Sequence, residues 1–246
     1  MKILIFSGTS DGRRLSYDLS AAGHAVTVSV ASETGKAFEE EMHPEIRTIY
    51  GRKTATEMAE LMTDFDFVID ATHPYAVEVS REIRTAAGAA GKKVLRLKRP
   101  ASVAPPGTIR VKSAEEAAKY LTGTEGNILL TTGAKELAAF SGLERERVYA
   151  RILPVVPSVE AAGAAGIDSR HLIAMTGPFS RTFNEFLIRA WRISYLVTKD
   201  GGAEGGFYEK AAACENCEIP MVLIVRPEGE DGLLYEELLM RLGDCR

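Results

Sequence analysis

Five short polar stretches hold most of the side chains in this chain that could bind a ligand or react. They are Ser7-Gly8-Thr9-Ser10-Asp11-Gly12, Ala71-Thr72-His73-Pro74-Tyr75, Thr131-Thr132-Gly133-Ala134-Lys135, Met175-Thr176-Gly177-Pro178-Phe179-Ser180 and Thr198-Lys199-Asp200-Gly201-Gly202. Each follows an apolar run of strand character, and in open α/β sheets ligands bind outside the carboxyl ends of strands. In the first stretch, small residues let the backbone approach a pyrophosphate, and the following helix would offer free N–H groups and a positive dipole end. It departs from G-x-G-x-x-G, since only Gly8 and Gly12 are glycines, so a plain strand-to-helix turn is the competing reading. After the second apolar strand come Ala31-Ser32-Glu33-Thr34, with Lys36 nearby. Hydroxyls there suit a 2′-phosphate and Glu33 a ribose diol, which admits either NADPH or NADH.

His73 stands between Thr72 and Pro74, just past Asp70. Pro74 is placed to set a first helical turn with Thr72 as its cap. At a strand end, His73 reads as a polar contact or, with Tyr75, a proton donor; the alternative is a buried histidine bonded to backbone. Arg13, Arg52, Arg96, Arg99, Lys135, Arg151, Lys199 and Lys210 crowd the same segments. Arginine forks match carboxylates, so a guest with several carboxylate arms suits such a lining, although solvated surface charge explains any one of them alone.

Two patterns are set aside. Tyr195 and Lys199 have Tyr-x-x-x-Lys spacing, but they fall on a strand, where four residues span roughly 13 Å rather than one helical turn. Cys214-x-x-Cys217 lacks a second Cys or His pair, so no residue is assigned to a metal. Neither a Walker A loop nor a Gly-x-Ser-x-Gly elbow is present.

These stretches are positioned by alternating strands and helices. Strands are expected at Lys2–Phe6, Ala25–Val30, Ile46–Ile49, Phe67–Asp70, Lys93–Leu97, Ile128–Leu130, Val148–Ala150, Leu172–Ala174, Tyr195–Val197 and Met221–Val225, with helical spacing between most of them. Such alternation predicts the α/β class, with mainly parallel sheets covered by helices on both faces. The proline-rich segment Arg99–Gly107 reads as a linker, and Ser113 with Glu116 as a capping box for a helix at Ala114–Leu121. Two domains are therefore expected, at 1–100 and 107–246, with an amphipathic tail at Glu236–Leu242 to be packed on the body or on a second subunit.

The 246 residues carry 34 acidic and 30 basic side chains, a net charge of −4, and are 46% hydrophobic and 26% charged, all globular values. An acidic balance argues against nucleic acid as a partner. No apolar run approaches the ~18 residues of a membrane span, and three cysteines (Cys214, Cys217, Cys245) give no disulfide framework, so a cytoplasmic protein is expected, monomer or homodimer.

ILIFSGTSDGRRL, Gly51-Arg52, VIDATHPYA, VLRLKRP, LLTTGAKEL, RILP, MTGPFSRTFN, LVTKDGG, Glu209-Lys210 and IPMVLIVRP, in this order, resemble the precorrin-6A and cobalt-precorrin-6A reductase family of cobalamin biosynthesis. The likeness runs from Lys2 to Pro227; DATHPYA and TGPFS with a downstream Asn184 are its specific parts, and Gly201 replaces the family's serine after Lys-Asp. The resemblance implies two Rossmann-like domains with the active site in the cleft between them, and hydride transfer from NADPH or NADH to a precorrin-type tetrapyrrole. The C18–C19 double bond would be reduced, giving the 6B form. It further implies that Gly8, Thr9, Ser10, Asp11, Gly12, Ser32 and Thr72 hold the cofactor, with Thr132, Gly133, Thr176 and Gly177 completing that site from the facing wall. Arg13, Arg96, Lys135, Ser180, Asp200 and Lys210 are expected at the substrate, and His73, Tyr75 and Lys199 in the catalytic group, with solvent as a further proton source. The competing readings are a dehydrogenase for another carboxylated small molecule and a non-catalytic NAD(P)-sensing regulator.

Overall fold

A computed structural model of the chain describes residues 1–226 and 231–243; Pro227 and Cys245 lie outside the described residues. The chain forms two compact units. In the first, β1 (Lys2–Phe6), α1 (Ser10–Ala21), β2 (Ala25–Val30), α2 (Glu33–Met42), β3 (Arg47–Tyr50), α3 (Ala55–Met62), β4 (Phe67–Asp70), α4 (Val77–Ala89) and β5 (Val94–Arg96) alternate without exception. The strands pair in parallel in the order β3-β2-β1-β4-β5, which reverses direction between β1 and β4. Apolar residues on both faces of β1 explain the double winding: Ile3 and Ile5 join the core with Leu15 and Leu19 of α1, while Leu4 and Phe6 join Met58 and Met62 of α3 and Ile83 of α4.

The second unit contains β6 (Ile109–Val111), α5 (Ala114–Thr122), β7 (Asn127–Leu130), a 3-10 segment (Ala134–Phe140), β8 (Val148–Ile152), α6 (Val156–Ala164), β9 (Leu172–Ala174), α7 (Arg181–Ala190), β10 (Ile193–Lys199), α8 (Phe207–Asn216) and β11 (Met221–Ile224). All six strands are parallel, in the order β6-β11-β10-β7-β8-β9, so the reversal falls between β7 and β10. Leu129, Leu196 and Leu223 face a core shared with Leu187 and Ile188 of α7 and Phe207 and Ala211 of α8.

Three expectations are corrected. The tail does not stay with the second unit. Leu233 bridges Leu97, and α9 (Tyr235–Gly243) packs on α1 of the first unit, burying Leu238 and Leu242 completely. Two buried leucines contribute about 1.5–3 kcal/mol each, and Tyr235 Oη donates to Asp18 at 2.7 Å while His24 Nε2 meets the Leu242 carbonyl at 3.1 Å. Secondly, Ser113 caps α5, but Glu116 reaches back to the Lys112 N–H at 2.8 Å; the reciprocal capping box is at Thr54 and Glu57 of α3. Thirdly, α4 starts at Val77 and has no side-chain cap, so Thr72 does not cap it. Among the described residues no helix is long and apolar enough to cross a membrane.

Candidate active site

In the first unit the turn after β1 meets the turn after β4 at the point where the strand order reverses. Thr9 caps α1: its Oγ1 accepts the Gly12 N–H at 3.1 Å and donates to the Ala71 carbonyl at 3.1 Å, tying the two turns together. Gly8 has φ +146°, a backbone setting that side chains rarely adopt. A Cβ at Gly12 would lie 2.4 Å from Ser7 Oγ and 3.2 Å from both Ala71 Cβ and Thr9 Oγ1. The glycine thus keeps the N-terminus of α1 close to the strand ends, leaving a backbone cradle that fits a dinucleotide pyrophosphate. Around it, Ser10 begins α1, Asp11 is ion-paired with Arg99, and Arg13 lies 4.0 Å from Glu39. Burial holds the Glu39 carboxyl above its ordinary range, against the opposing influence of Arg13 and a hydrogen bond from Ser7. Ser32, exposed, caps α2 by accepting the Gly35 N–H at 3.1 Å.

The β4 turn is organised by a buried ion pair absent from the sequence reading. Asp70 is 1% exposed; its Oδ1 accepts from Arg96 Nη1 at 2.7 Å, from the Thr72 N–H at 3.0 Å and from Thr72 Oγ1 at 2.7 Å. Arg96 Nη1 also reaches the Thr72 carbonyl at 3.0 Å. Arg96, expected at the substrate, is therefore a buried strut of the turn, because a guanidinium in the sheet interior is held by the nearest carboxylate. Thr72 is fixed by the same network. His73 is exposed and accepts the Tyr75 N–H at its Nδ1 at 3.3 Å, the two rings lying 5.6 Å apart.

In the second unit the turn after β7 is tied to β10, the strand across the reversal. Thr131 Oγ1 donates to the Val197 carbonyl, and Lys199 Nζ pairs with Glu136 at 2.7 Å. Gly133 has φ +87° and Lys135 is exposed, while the Thr132 hydroxyl is buried without a hydrogen-bond partner. Asp200, also expected at the substrate, is 5% exposed: it accepts from Ser102 N and Oγ, at 3.2 and 2.6 Å, and from Arg226 Nη2 at 3.0 Å. It braces its loop rather than presenting a carboxylate. Asp200→Asn, which keeps the shape and halves the acceptor capacity beside Arg226, is expected to cost about 1–3 kcal/mol in denaturant unfolding, with little change in ligand affinity. Ser180 caps α7 by accepting the Phe183 N–H at 3.2 Å, and Thr176 and Gly177 lie exposed ahead of it. Lys210 is buried on α8. Cys214 and Cys217 are free thiols, and burial pushes that of Cys214 up to about 12, which suits packing rather than chemistry. Among the described residues no group of His, Cys, Asp or Glu could hold a metal ion.

The residues missed by the sequence reading, Asp70, Ser102, Glu136 and Arg226 among them, are partners of residues it had singled out. Asp70 alone had a local signal, a carboxylate ending an otherwise apolar strand.

Two parallel sheets, each covered by helices on both faces, define an α/β protein of the doubly wound kind. The chain belongs to the family described as precorrin-6x reductase CbiJ/CobK, whose model matches residues 2–242. It is similar to the cobalt-precorrin-6A reductase of Salmonella typhimurium, 35% identical over 92% of this chain and 87% of that protein. The Methanothermobacter thermautotrophicus protein of the same name is 34% identical over 93% and 77%, and the precorrin-6A reductase of Rhodococcus erythropolis 29% over 92% and 89%. The fold matches the solved structure of CobK precorrin-6A reductase with a TM-score of 0.80 at 22% identity, over 99% of this chain and 96% of that one.

Proposed function

We propose that the chain reduces the macrocycle of cobalt-precorrin-6A to the 6B form, using NADPH or NADH, in cobalamin biosynthesis. The observation that carries the reading is the family match over residues 2–242, which takes in both units. The cobalt form is favoured because the relatives at 35% and 34% identity carry that name, although others of that name, at 27–29%, are no more similar than the precorrin-6A reductases of Sinorhizobium and Rhodococcus, at 27% and 29%. Membership of a reductase family implies a nicotinamide cofactor, and the cradle at Gly8 and Gly12 fits one.

In this reading the free N–H groups at the start of α1, with Thr9 and Ser10, bind the phosphates, and Ser32 at the start of α2 faces the adenosine end. Thr72, His73 and Tyr75 line the nicotinamide end. A bound nicotinamide supplies the hydride; the chain's own work is to orient the acceptor, exclude water and hold protons. Since His73 Nδ1 accepts the Tyr75 N–H, a neutral His73 carries its proton on Nε2. That atom and Lys199 Nζ, steadied by Glu136, are the assigned proton sources for the carbon next to the hydride acceptor. Arg13 and Lys135 are assigned to carboxylate arms. The reading places the reaction in the cytoplasm, where free thiols such as Cys214 and Cys217 persist.

The test is anaerobic turnover of precorrin-6A, with and without cobalt, in separate mixtures with NADH and NADPH. Loss of the reduced-nicotinamide absorbance coupled to a change in the macrocycle spectrum is expected, faster with the cobalt form. Nucleotide binding without turnover of either form would replace this reading by that of an NAD(P) sensor.

A further inference from the structure

α2 is turned the wrong way for an amphipathic helix. Phe38 and Met42 are 52% and 62% exposed, while Glu39 between them is 2% exposed. Apolar side chains ordinarily take the inner face, and a glutamate is rarely buried without a close partner, so α2 forgoes apolar burial and brings a carboxylate inside. The orientation is fixed locally. Ser32 caps the first turn, and Gly35 lies against the end of β2, where a Cβ would come within 3.3 Å of Val30 Cβ. One turn further on, Glu39 reaches the turn after β1: its Oε1 accepts from Ser7 Oγ at 3.5 Å and lies 4.0 Å from Arg13 Nη1. Ser7 Oγ is also the atom that a Cβ at Gly12 would meet at 2.4 Å, so the carboxyl stands one side chain away from the glycine cradle.

Both contacts are long, and among the described residues the Glu39 carboxyl makes no other hydrogen bond or ion pair. Of the two influences that oppose its burial, the charge of Arg13 is the larger and the Ser7 hydroxyl the smaller. The other elements packed on α2 supply no substitute. β2 carries no titratable side chain, and Arg47 of β3 is exposed. Tyr50 lies under Lys36 Nζ, which pairs with Glu40, and Tyr17 of α1 stacks on His43, which faces Glu45. Arg13 itself is partly exposed, and its separation from Glu39 is beyond hydrogen-bonding distance, so its N–H donors are not committed to that carboxylate. An anion that pairs with Arg13 cancels its field at Glu39, and the buried carboxylate then loses what keeps it ionised.

We propose that Glu39 is a positioning residue coupled to ligand binding through Arg13: it holds the guanidinium beside the cradle in the ligand-free protein, and it takes up a proton when a ligand oxyanion takes its place at Arg13. The inference rests on the assignment of Arg13 to a carboxylate arm of the tetrapyrrole; a phosphate of the dinucleotide would have the same effect, and separate titrations tell the two apart. Burial already holds the Glu39 carboxyl above its ordinary range, and the bound oxyanion moves it higher. Binding therefore consumes a proton at pH values between the two, and affinity falls as pH rises through that window, by at most about tenfold per pH unit for one proton.

Glu39→Gln removes the titrating group at nearly constant shape, Glu39→Asp keeps it, and Arg13→Met removes the cation as a bound oxyanion would cancel it. Carboxyl-carbon NMR, with the Glu39 signal identified by its loss in Glu39→Gln, follows the titration in the ligand-free protein. Arg13→Met is expected to move it to higher pH; an unchanged titration would overturn the proposal whatever the chain reduces. Dissociation constants for cobalt-precorrin-6A and for NADP⁺ are then measured on both sides of the window, with calorimetry in two buffers of different ionisation enthalpy to count protons. Wild type and Glu39→Asp are expected to take up a proton that Glu39→Gln does not. Glu39→Gln should bind like wild type on the acid side and about 3- to 10-fold more tightly on the alkaline side, and its ligand-free melting temperature should hold or rise. A difference confined to the macrocycle identifies a carboxylate arm at Arg13, and one confined to NADP⁺ a phosphate. Were Glu39 a structural contact alone, Glu39→Gln would change affinity by one factor at every pH with the same proton uptake, and the proposal would fall. Absence of turnover with precorrin-6A would remove the reductase reading alone, since the ligand-free titration still decides the coupling of Glu39 to Arg13.

Discussion

Gly12→Val is expected to weaken NADPH and NADH binding by at least about 100-fold, the loss of two charge-assisted hydrogen bonds to phosphate. Gly12 sits at the closest approach of α1 to the strand ends, where even a Cβ would lie 2.4 Å from Ser7 Oγ and 3.2 Å from Ala71 Cβ. The first contact is with the end of a small side chain, which can rotate; the second is with the turn after β4, which Thr9 ties to α1. Valine fills both directions, so α1 must move outward and carry its free N–H groups away from the phosphate. A graded series separates this from general damage. Gly12→Ala should lose affinity by a smaller factor, and Ser7→Ala combined with Gly12→Ala should recover part of it, because the shortest contact is gone. Isothermal titration with each nucleotide measures the series, and a Gly12→Val protein that binds with wild-type affinity would remove the pyrophosphate from this cradle.

The elements that carry these groups are visible in the sequence for local reasons. Apolar runs such as Lys2–Phe6 and Phe67–Asp70 are strands on the structure as on the sequence, because residues buried on both faces leave no polar alternation to misread. Ile109–Val111 escaped notice: three residues next to a proline-rich segment carry too little pattern. The glycine-bearing turns were legible because strand, turn and helix follow one another directly. The side-chain partners were not. Arg96 and Asp200 stood out as charged residues at strand ends, yet their roles are set by Asp70, 26 residues away, and by Ser102, 98 residues away. Nothing local announces such pairs, and in both cases a residue read as facing a ligand is also tied to groups of the protein itself. Arg151 is a further case, a charge among many in the sequence that the structure buries against Asn184 and the Phe179 ring.

Arg96→Met is expected to destabilise the protein by about 3–5 kcal/mol, the usual cost of leaving one partner of a buried ion pair alone. Asp70, 1% exposed, would keep only the Thr72 N–H and hydroxyl on Oδ1, while its Oδ2 already lacks a hydrogen-bond partner. The pair is therefore incompletely satisfied even in the native protein, and apolar replacement of both partners should be far cheaper than loss of one. Asp70→Leu combined with Arg96→Met is expected to recover most of the stability in denaturant unfolding, the two single changes being strongly coupled. Activity should not follow stability back. Arg96 also holds the Thr72 carbonyl, and Asp70 holds the Thr72 N–H and hydroxyl, so the double variant folds with the His73 turn unpinned. A stable double variant with kcat/KM reduced by at least about tenfold marks the ion pair as a positioning device for the turn. Full recovery of both stability and kcat/KM would make it a structural contact alone, and would take Thr72 and His73 out of the geometry on which the proposed chemistry depends.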